Sequence, residues 1–123
     1  MATQATTTTS ERTLSGQESL DFELLYLLET EPHLSQRDIA ERLDISLGRV
    51  NYCLKSLMES GAIKLGRVCA TDDRPRQAYL PTSKGIARRA ALTGPFLQLK
   101  RAQYARIRRQ IESLGGCVHE GDD

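Results

Sequence analysis

Apolar residues recur at helical spacing in two short blocks, one on each side of position 45. Ser35 stands where the first block needs an N-cap, and Asp38 follows at the spacing of a capping box. Asp44 and Ile45 form a turn before the next block begins. The first block therefore predicts a short amphipathic helix, whose apolar face consists of Ile39, Ala40 and Leu43.

The second block predicts another short helix, capped by Ser46 and stopped near Gly61. Two helices of this length cannot bury their apolar faces by themselves, so a third helix must cover them. The pattern is typical of a helix-turn-helix, whose second helix can enter the major groove of DNA. The inward face of that helix is expected to consist of Val50, Leu54, Leu57 and Met58.

The covering helix is predicted directly before this pair. It begins at Ser15 or Ser19 and ends near Glu31, because the residue before a proline such as Pro32 disfavours the helical conformation. Its apolar face is broad enough for a central helix that is covered on more than one side. That face consists of Phe22, Leu24, Leu25, Leu27 and Leu28.

A two-stranded hairpin is predicted after Gly61. Residues 62–70 alternate apolar Ile63, Leu65 and Val68 with basic residues, as a strand does. Residues 71–76 have the composition of a turn, and residues 77–80 form the return strand, with Tyr79 facing inward or toward the partner strand. A hairpin in this position would be the wing of a winged helix-turn-helix domain.

The chain after the wing is helical by pattern. Thr82 caps a helix that continues to Leu92, and the sequence Thr93-Gly94-Pro95 is expected to interrupt it. A second helix then runs to about Leu114, with apolar residues near heptad spacing that suit packing against a second copy of the chain. The alternative is that this helix folds back onto the winged domain of its own chain. The candidate dimerisation residues are Phe96, Leu97, Leu99, Tyr104, Ile107, Ile111 and Leu114.

These elements predict a mainly α fold with a small β-wing, namely a winged helix-turn-helix domain followed by a long C-terminal helix. We expect a disordered Thr-rich tail over residues 1–16 and the DNA-binding domain over 17–93. A dimerisation helix over 95–114 and an acidic flexible tail over 115–123 follow.

Charge is distributed unevenly along the chain, although the net charge is only +1. Residues 1–45 hold 3 basic and 9 acidic side chains, residues 46–111 hold 14 basic and 3 acidic ones, and residues 112–123 hold 4 acidic ones only. A positive middle segment that begins at the second helix of the helix-turn-helix favours a nucleic-acid partner.

The predicted second helix and the wing carry the side chains suited to double-stranded DNA. Arg, Asn and Ser can read base edges, while Lys and Tyr can bond phosphates, and a basic wing can reach the backbone or the minor groove. The alternative is that both are ordinary solvated surfaces. The candidate DNA-binding residues are Ser35, Gln36, Ser46, Gly48, Arg49, Asn51, Tyr52, Lys55, Arg67, Arg74 and Arg76.

The sequence contains little that supports other classes of function. The three cysteines, Cys53, Cys69 and Cys117, form no metal-ligand spacing or disulfide framework, and no signal peptide or apolar run long enough for a membrane is present. No Walker A or HExxH motif occurs, so we expect no enzyme, no cofactor and no metal, in a cytoplasmic protein. Cys53 is interpreted as a core residue, with redox sensing as the alternative.

Four strings of the chain resemble the MarR family of winged-helix transcriptional regulators, and specifically its subgroup associated with extracellular polysaccharide (EPS) genes. The strings are Pro32 to Ala40, Ile45 to Lys55, Tyr79-Leu80 and Thr82 to Gly85, and the resemblance covers about residues 20–114.

The resemblance implies a DNA-binding regulator, with Ser46, Arg49, Asn51, Tyr52 and Lys55 on the recognition helix. It also implies wing contacts near Asp73-Arg74, where the acid orients an arginine that enters the minor groove. Two departures are Pro81, which replaces the usual apolar residue, and the absence of the long N-terminal helix with which larger members dimerise. The competing hypothesis is a winged-helix module that binds protein without specific DNA binding.

Overall fold

The computed structural model describes residues 14–69 and 75–116 of the chain. Within them, four helices and two strands follow one another. They are α1 (Gly16–Thr30), α2 (Gln36–Leu43), α3 (Leu47–Glu59), β1 (Ile63–Cys69), β2 (Pro75–Pro81) and α4 (Ser83–Ser113). This order confirms the predicted winged helix-turn-helix fold with a long C-terminal helix. Contacts divide the chain into a unit of Ser15–Thr93 and another that contains the residues from Gly94 onward.

Helix α1 begins at Ser15, which forms a complete capping box with Glu18. The Glu18 backbone N–H donates to Ser15 Oγ at 3.0 Å, and the Ser15 backbone N–H donates to Glu18 Oε1 at 3.1 Å. Ser15 and Gly16 therefore belong to the folded domain, so the predicted disordered tail extends too far; residues 1–13 lie outside the described part. Buried residues on more than one side make α1 the central helix: Leu20, Leu24, Leu25, Leu27 and Leu28.

The two helices of the helix-turn-helix close the core under α1. Ile39 of α2 and Val50 of α3 have no exposed surface, and Asp44 between the helices has the left-handed conformation, with φ 57°. The predicted inward face of α3 is wrong at Met58, which is 36% exposed, whereas Cys53 is fully buried, as its interpretation as a core residue requires. The buried set is Val50, Cys53, Leu54 and Leu57.

The wing is an antiparallel pair in which Ile63 lies opposite Pro81 and Leu65 opposite Tyr79. The return strand starts earlier than predicted, since Pro75 already belongs to β2. Residues 70–74, which hold most of the predicted turn and Arg74, lie outside the described residues. Ile63 is buried at the base of the wing, whereas Leu65 is 47% exposed because the hairpin projects beyond the core.

Helix α4 is anchored where the wing meets the core. The Gly85 N–H donates to Thr82 Oγ1 at 3.2 Å, so Thr82 acts as the predicted cap, and the same hydroxyl donates to the Gly61 carbonyl at 2.6 Å. The first half of α4 is also tied to α1 by ion pairs from Arg88 to Asp21 and from Arg89 to Glu29, at 3.3 and 2.8 Å.

The predicted interruption near Pro95 is wrong, because α4 is a single helix with Pro95 inside it. Inside a helix, a proline removes one backbone hydrogen bond, its ring crowds the carbonyl four residues earlier, and it restricts the residue before it partly through that residue's Cβ. The residue before Pro95 is Gly94, which has no Cβ, so that last part of the restriction is absent.

The C-terminal part of α4 exposes the apolar residues that were predicted for dimerisation. Leu97, Tyr104, Ile107 and Ile111 are 40–53% exposed, and Leu114 lies just past the helix end at 87%. Phe96 and Leu99 are half-buried. Over residues 14–69 and 75–116, no helix has the length and apolarity needed to cross a membrane.

Candidate nucleic-acid interface

Helix α3 has one buried and one exposed face, and the candidate DNA-binding residues lie on the exposed one. Tyr52 is 64% exposed, and the predicted polar residues around it are also exposed, while Val50 and Leu54 close the core on the other side. The helix therefore presents a continuous surface of donors with two cations. The residues that it brings together are Ser46, Gly48, Arg49, Asn51, Tyr52 and Lys55.

Two of the candidate serines also serve as helix caps. Ser46 Oγ accepts from the Arg49 backbone N–H at 3.1 Å, and Ser35 Oγ accepts from the Asp38 backbone N–H at 3.1 Å. Asp38 completes the second box, because its Oδ2 accepts from the Ser35 N–H at 3.2 Å. Each serine hydroxyl keeps one hydrogen for another acceptor, so a phosphate contact and the cap are compatible.

The start of α2 is held in place by its acidic residue. The bonds to Ser35 keep the pKa of the Asp38 carboxyl below its ordinary value, and the positive charges of Arg42 and Arg76 lower that pKa further. Arg76 belongs to β2, and its charge is the smallest of these influences on Asp38.

Arg42 forms an ion pair that links α2 to the end of α1. Its Nη1 and Nη2 donate to Glu31 Oε2 and Oε1 at 2.7 and 3.0 Å, a bidentate pair. The hydrogen bonds from Arg42 lower the pKa of Glu31. Since its charge is compensated by Glu31, Arg42 stabilises the helix-turn-helix geometry and adds little to the positive surface.

The two described wing arginines lie on opposite faces of the hairpin. Arg67 is paired with Gln77, and Arg76 is paired with Val68 in the next register position. Because neighbouring pairs of an antiparallel ribbon point to alternate faces, the two guanidinium groups project to different sides. Both side chains are exposed.

Sequence reasoning missed the part that Tyr79 plays beside the recognition helix. Gln36 Nε2 donates to the Tyr79 hydroxyl at 3.0 Å, and Asn51 Nδ2 donates to Gln36 Oε1 at 3.5 Å. These residues belong to α2, α3 and β2. An aromatic residue in a strand predicts burial but says nothing of a partner 43 positions away, so no local signal could have found the contact.

Cys53 lies behind the recognition face. Its side chain is fully buried, and its sulfur lies 3.6 Å from Gln17 Nε2, which also donates to Asp21 Oδ1 at 2.9 Å. A reactive cysteine needs an accessible site, so this environment favours the core interpretation over redox sensing. In the part of the chain that the structure describes, no three His, Cys, Asp or Glu side chains are grouped to hold a metal ion.

Comparison with known proteins supports this fold. A family model described as "Winged helix-turn-helix DNA-binding" matches residues 17–64. No curated protein gives a significant match.

Several solved regulators have a similar structure. MepR of Staphylococcus aureus, a transcription regulator of the multidrug efflux pump MepA, is 22% identical over 76% of this chain and 65% of its own length, with a TM-score of 0.52. In its complex with DNA, S. aureus MepR is 21% identical over 82% of this chain and 78% of its own length, with a TM-score of 0.56.

The M. tuberculosis transcriptional regulator MosR is 18% identical over 83% of this chain and 74% of its own, with a TM-score of 0.56. AdcR, a zinc-dependent MarR family transcriptional regulator, is 19% identical over 80% of this chain and 64% of its own length, with a TM-score of 0.55. The chain thus spans about two thirds to three quarters of these proteins. At such identities the likeness concerns the fold, and the fold is that of a winged helix-turn-helix protein.

Proposed function

We propose that this protein is a MarR-type transcriptional regulator that binds double-stranded DNA, with α3 in the major groove and the wing on the backbone or in the minor groove. The observation that carries the proposal is the exposed face of α3, where Arg49, Asn51 and Lys55 lie together while the opposite face closes the core. The match of residues 17–64 to a DNA-binding winged-helix model and the fold shared with the MepR–DNA complex support it.

The individual residues have different tasks in this proposal. Arg49 and Asn51 read base edges, because a guanidinium and a carboxamide can each form two hydrogen bonds with one base. Lys55 and Tyr52 bond phosphates, as do the hydroxyl hydrogens that Ser35 and Ser46 retain beside their caps. Gly48 gives the DNA backbone close access, since nothing lies within 4 Å of the place where its Cβ would be. Arg67, Arg76 and Arg74 supply the wing contacts.

The working form in this proposal is a homodimer. Leu97, Ile107 and Ile111 expose apolar surface on one helix, and a second copy of that helix is the simplest cover for it. Two recognition helices about 34 Å apart would then reach successive major grooves on one side of the duplex.

A more specific part of the same proposal concerns the genes that the protein regulates. The resemblance of the Ile45 to Lys55 string favours genes for extracellular polysaccharide, and the protein would act in the cytoplasm without a cofactor. Transcript levels of such a gene cluster, compared between cells with and without the protein, test this part. Unchanged transcripts would remove the link to polysaccharide genes and leave the DNA-binding proposal intact.

Fluorescence anisotropy with DNA from upstream of the protein's own gene, and with a scrambled duplex, tests the main proposal. We expect wild type to prefer the upstream DNA, and Arg49→Ala to reduce that preference by roughly tenfold or more, because a bidentate base contact is lost. Arg109→Ala is the matched control, since it removes one exposed arginine that is not among the candidate DNA-binding residues.

The dependence of binding on salt concentration distinguishes phosphate contacts from base contacts. Raising the salt concentration weakens phosphate contacts on both duplexes and leaves the ratio between them largely intact. Equal, weak binding to both duplexes that Arg49→Ala does not change would overturn the proposal. The alternative of a protein-binding winged-helix module would then account better for the exposed Leu47 and Tyr52 on the same face.

A further inference from the structure

We propose that Leu47 is a specificity-determining residue that recognises the 5-methyl group of a thymine in the major groove. The inference rests on the proposed function and deepens it, because it assigns one base to a side chain without hydrogen-bonding groups. Thymine is the base whose major-groove edge carries a methyl group, so a well-placed apolar side chain distinguishes it from the other three bases.

Leu47 is an apolar residue that the hydrophobic core does not use. It is the first residue of α3, and it is 44% exposed. Within the described part of the chain, it belongs neither to the core cluster nor to the partly buried apolar residues packed against that cluster. Its neighbour Ile45, in contrast, packs against the core, and Val50 has no exposed surface. Burial therefore does not account for a leucine at position 47.

The start of α3 does not require this leucine either. Ser46 is the cap, since its Oγ accepts from the Arg49 backbone N–H at 3.1 Å. Ile45 and Val50 occupy the two positions of a hydrophobic staple, directly before the cap and four residues after it. Position 47 could thus hold a small or polar residue without loss of the cap or of the staple.

Leu47 lies beside the residues that are proposed to contact bases. Residues four positions apart are neighbours on the surface of a helix, so Leu47 is next to Asn51. Gly48 follows Leu47 in the chain, and no other part of the fold lies within 4 Å of the place where its β-carbon would be. The N-terminal residues of a recognition helix are those that contact base edges. The exposed leucine side chain can therefore approach a base as closely as the polar side chains do.

An apolar contact recognises a feature of the base that hydrogen bonds do not. A methyl group against Leu47 removes apolar surface from water on both sides, and a base without this methyl leaves a gap there. Hydrogen bonds from Arg49 and Asn51 do not provide this discrimination, since deoxyuridine has the same donors and acceptors as thymidine. Deoxyuridine lacks only the methyl group, so its use isolates the contact with Leu47.

The test replaces each thymidine of the bound duplex in turn by deoxyuridine and measures affinity by fluorescence anisotropy. The duplex is the upstream DNA that wild type is expected to prefer. Wild type, Leu47→Ala and Leu47→Met are compared on every duplex. Leu65→Ala is the matched control, because it removes a leucine of similar exposure, 47%, from the wing.

We expect at least one deoxyuridine to weaken wild-type binding by roughly three- to fivefold, the effect of leaving about one methyl group unburied. Leu47→Ala should bind the thymidine and deoxyuridine forms of that position equally. Leu47→Met keeps an apolar side chain and should retain a preference for thymidine, and Leu65→Ala should retain the full wild-type ratio. The thermal unfolding midpoints of both Leu47 variants should stay close to that of wild type, since the residue lies outside the core.

The outcomes separate this inference from the function on which it rests. Wild type without a preference for the upstream DNA would overturn both, and the exposed Leu47 would then suit a protein-binding face. Wild type that prefers the upstream DNA but tolerates every deoxyuridine would overturn the inference only. The inference also fails if Leu47→Ala keeps the wild-type ratio at the sensitive position, whatever its overall affinity, or if Leu47→Met loses the ratio as completely as Leu47→Ala.

Discussion

Gly85 lies against the backbone of Ala62, so closely that a β-carbon at position 85 would be 2.0 Å from the Ala62 carbonyl oxygen. The neighbouring Thr82 N–H donates to the same oxygen at 2.9 Å. The base of the wing and the first turn of α4 are therefore in direct backbone contact, and no side chain can be inserted between them without moving one of the two.

We expect Gly85→Ala to lower the free energy of unfolding by about 1–3 kcal/mol, the usual cost of overpacking a closed site. The matched control is Gly48→Ala, also within a helix, where nothing lies within 4 Å of the added carbon. That change should raise stability by up to about 1 kcal/mol, through helix propensity. Chemical denaturation of both variants measures the difference, and equal stability of the two would contradict the steric account.

The pair Glu31–Arg42 should make stability depend on pH. The hydrogen bonds from Arg42 lower the pKa of Glu31 below its ordinary value of 4.5, so the folded state favours the ionised carboxylate. This contribution is fully present above pH 4.5 and is lost as the pH falls through the lower pKa of the folded state. Glu31→Gln should therefore be less stable than wild type at pH 7, with the gap narrowing toward pH 3.

Urea denaturation at several pH values between 3 and 7 measures this gap. Glu41→Gln serves as the control, because it removes one exposed carboxylate from α2 without touching the pair. If the difference between wild type and Glu31→Gln were the same at pH 3 and pH 7, the pairing would contribute nothing to the ionisation of Glu31.

Ile107 is the residue to change in a test of the dimer. It is 53% exposed on the C-terminal part of α4, and a charge there would be buried in any interface along this face. We expect wild type to sediment as a dimer at micromolar concentration and Ile107→Glu to sediment as a monomer. Gln98→Glu adds the same charge at an exposed position nine residues earlier, on the opposite face of α4, and should leave the dimer intact. A monomeric wild type would favour the alternative that the helix packs on its own chain.

The helix-turn-helix could be predicted because its signals are local. Ser35, Ser46 and the apolar spacing around Val50 lie within one or two helical turns of the residues that they influence, and the structure uses each of them as expected. Met58 was wrongly placed on the inward face, whereas Cys53 is buried as interpreted; both positions fit an apolar helix face, and only the packing of the core decides which of them is inside.

The remaining differences depend on what a residue meets in three dimensions. Proline usually ends a helix, but α4 continues through Pro95, where the preceding Gly94 has no Cβ to clash with the proline ring. The contact between Gln36 and Tyr79 joins segments 43 positions apart, so it belongs to the tertiary structure and leaves no periodic trace in the sequence.

The alternate placement of Arg67 and Arg76 has a consequence for how the wing tolerates motion. A hairpin with all its charge on one side loses its attraction to phosphate when it rotates about its long axis, whereas this one offers a cation in either orientation. In the proposed complex, the wing should therefore keep a cation near the DNA backbone over a range of groove widths and approach angles. Base specificity would then rest on α3.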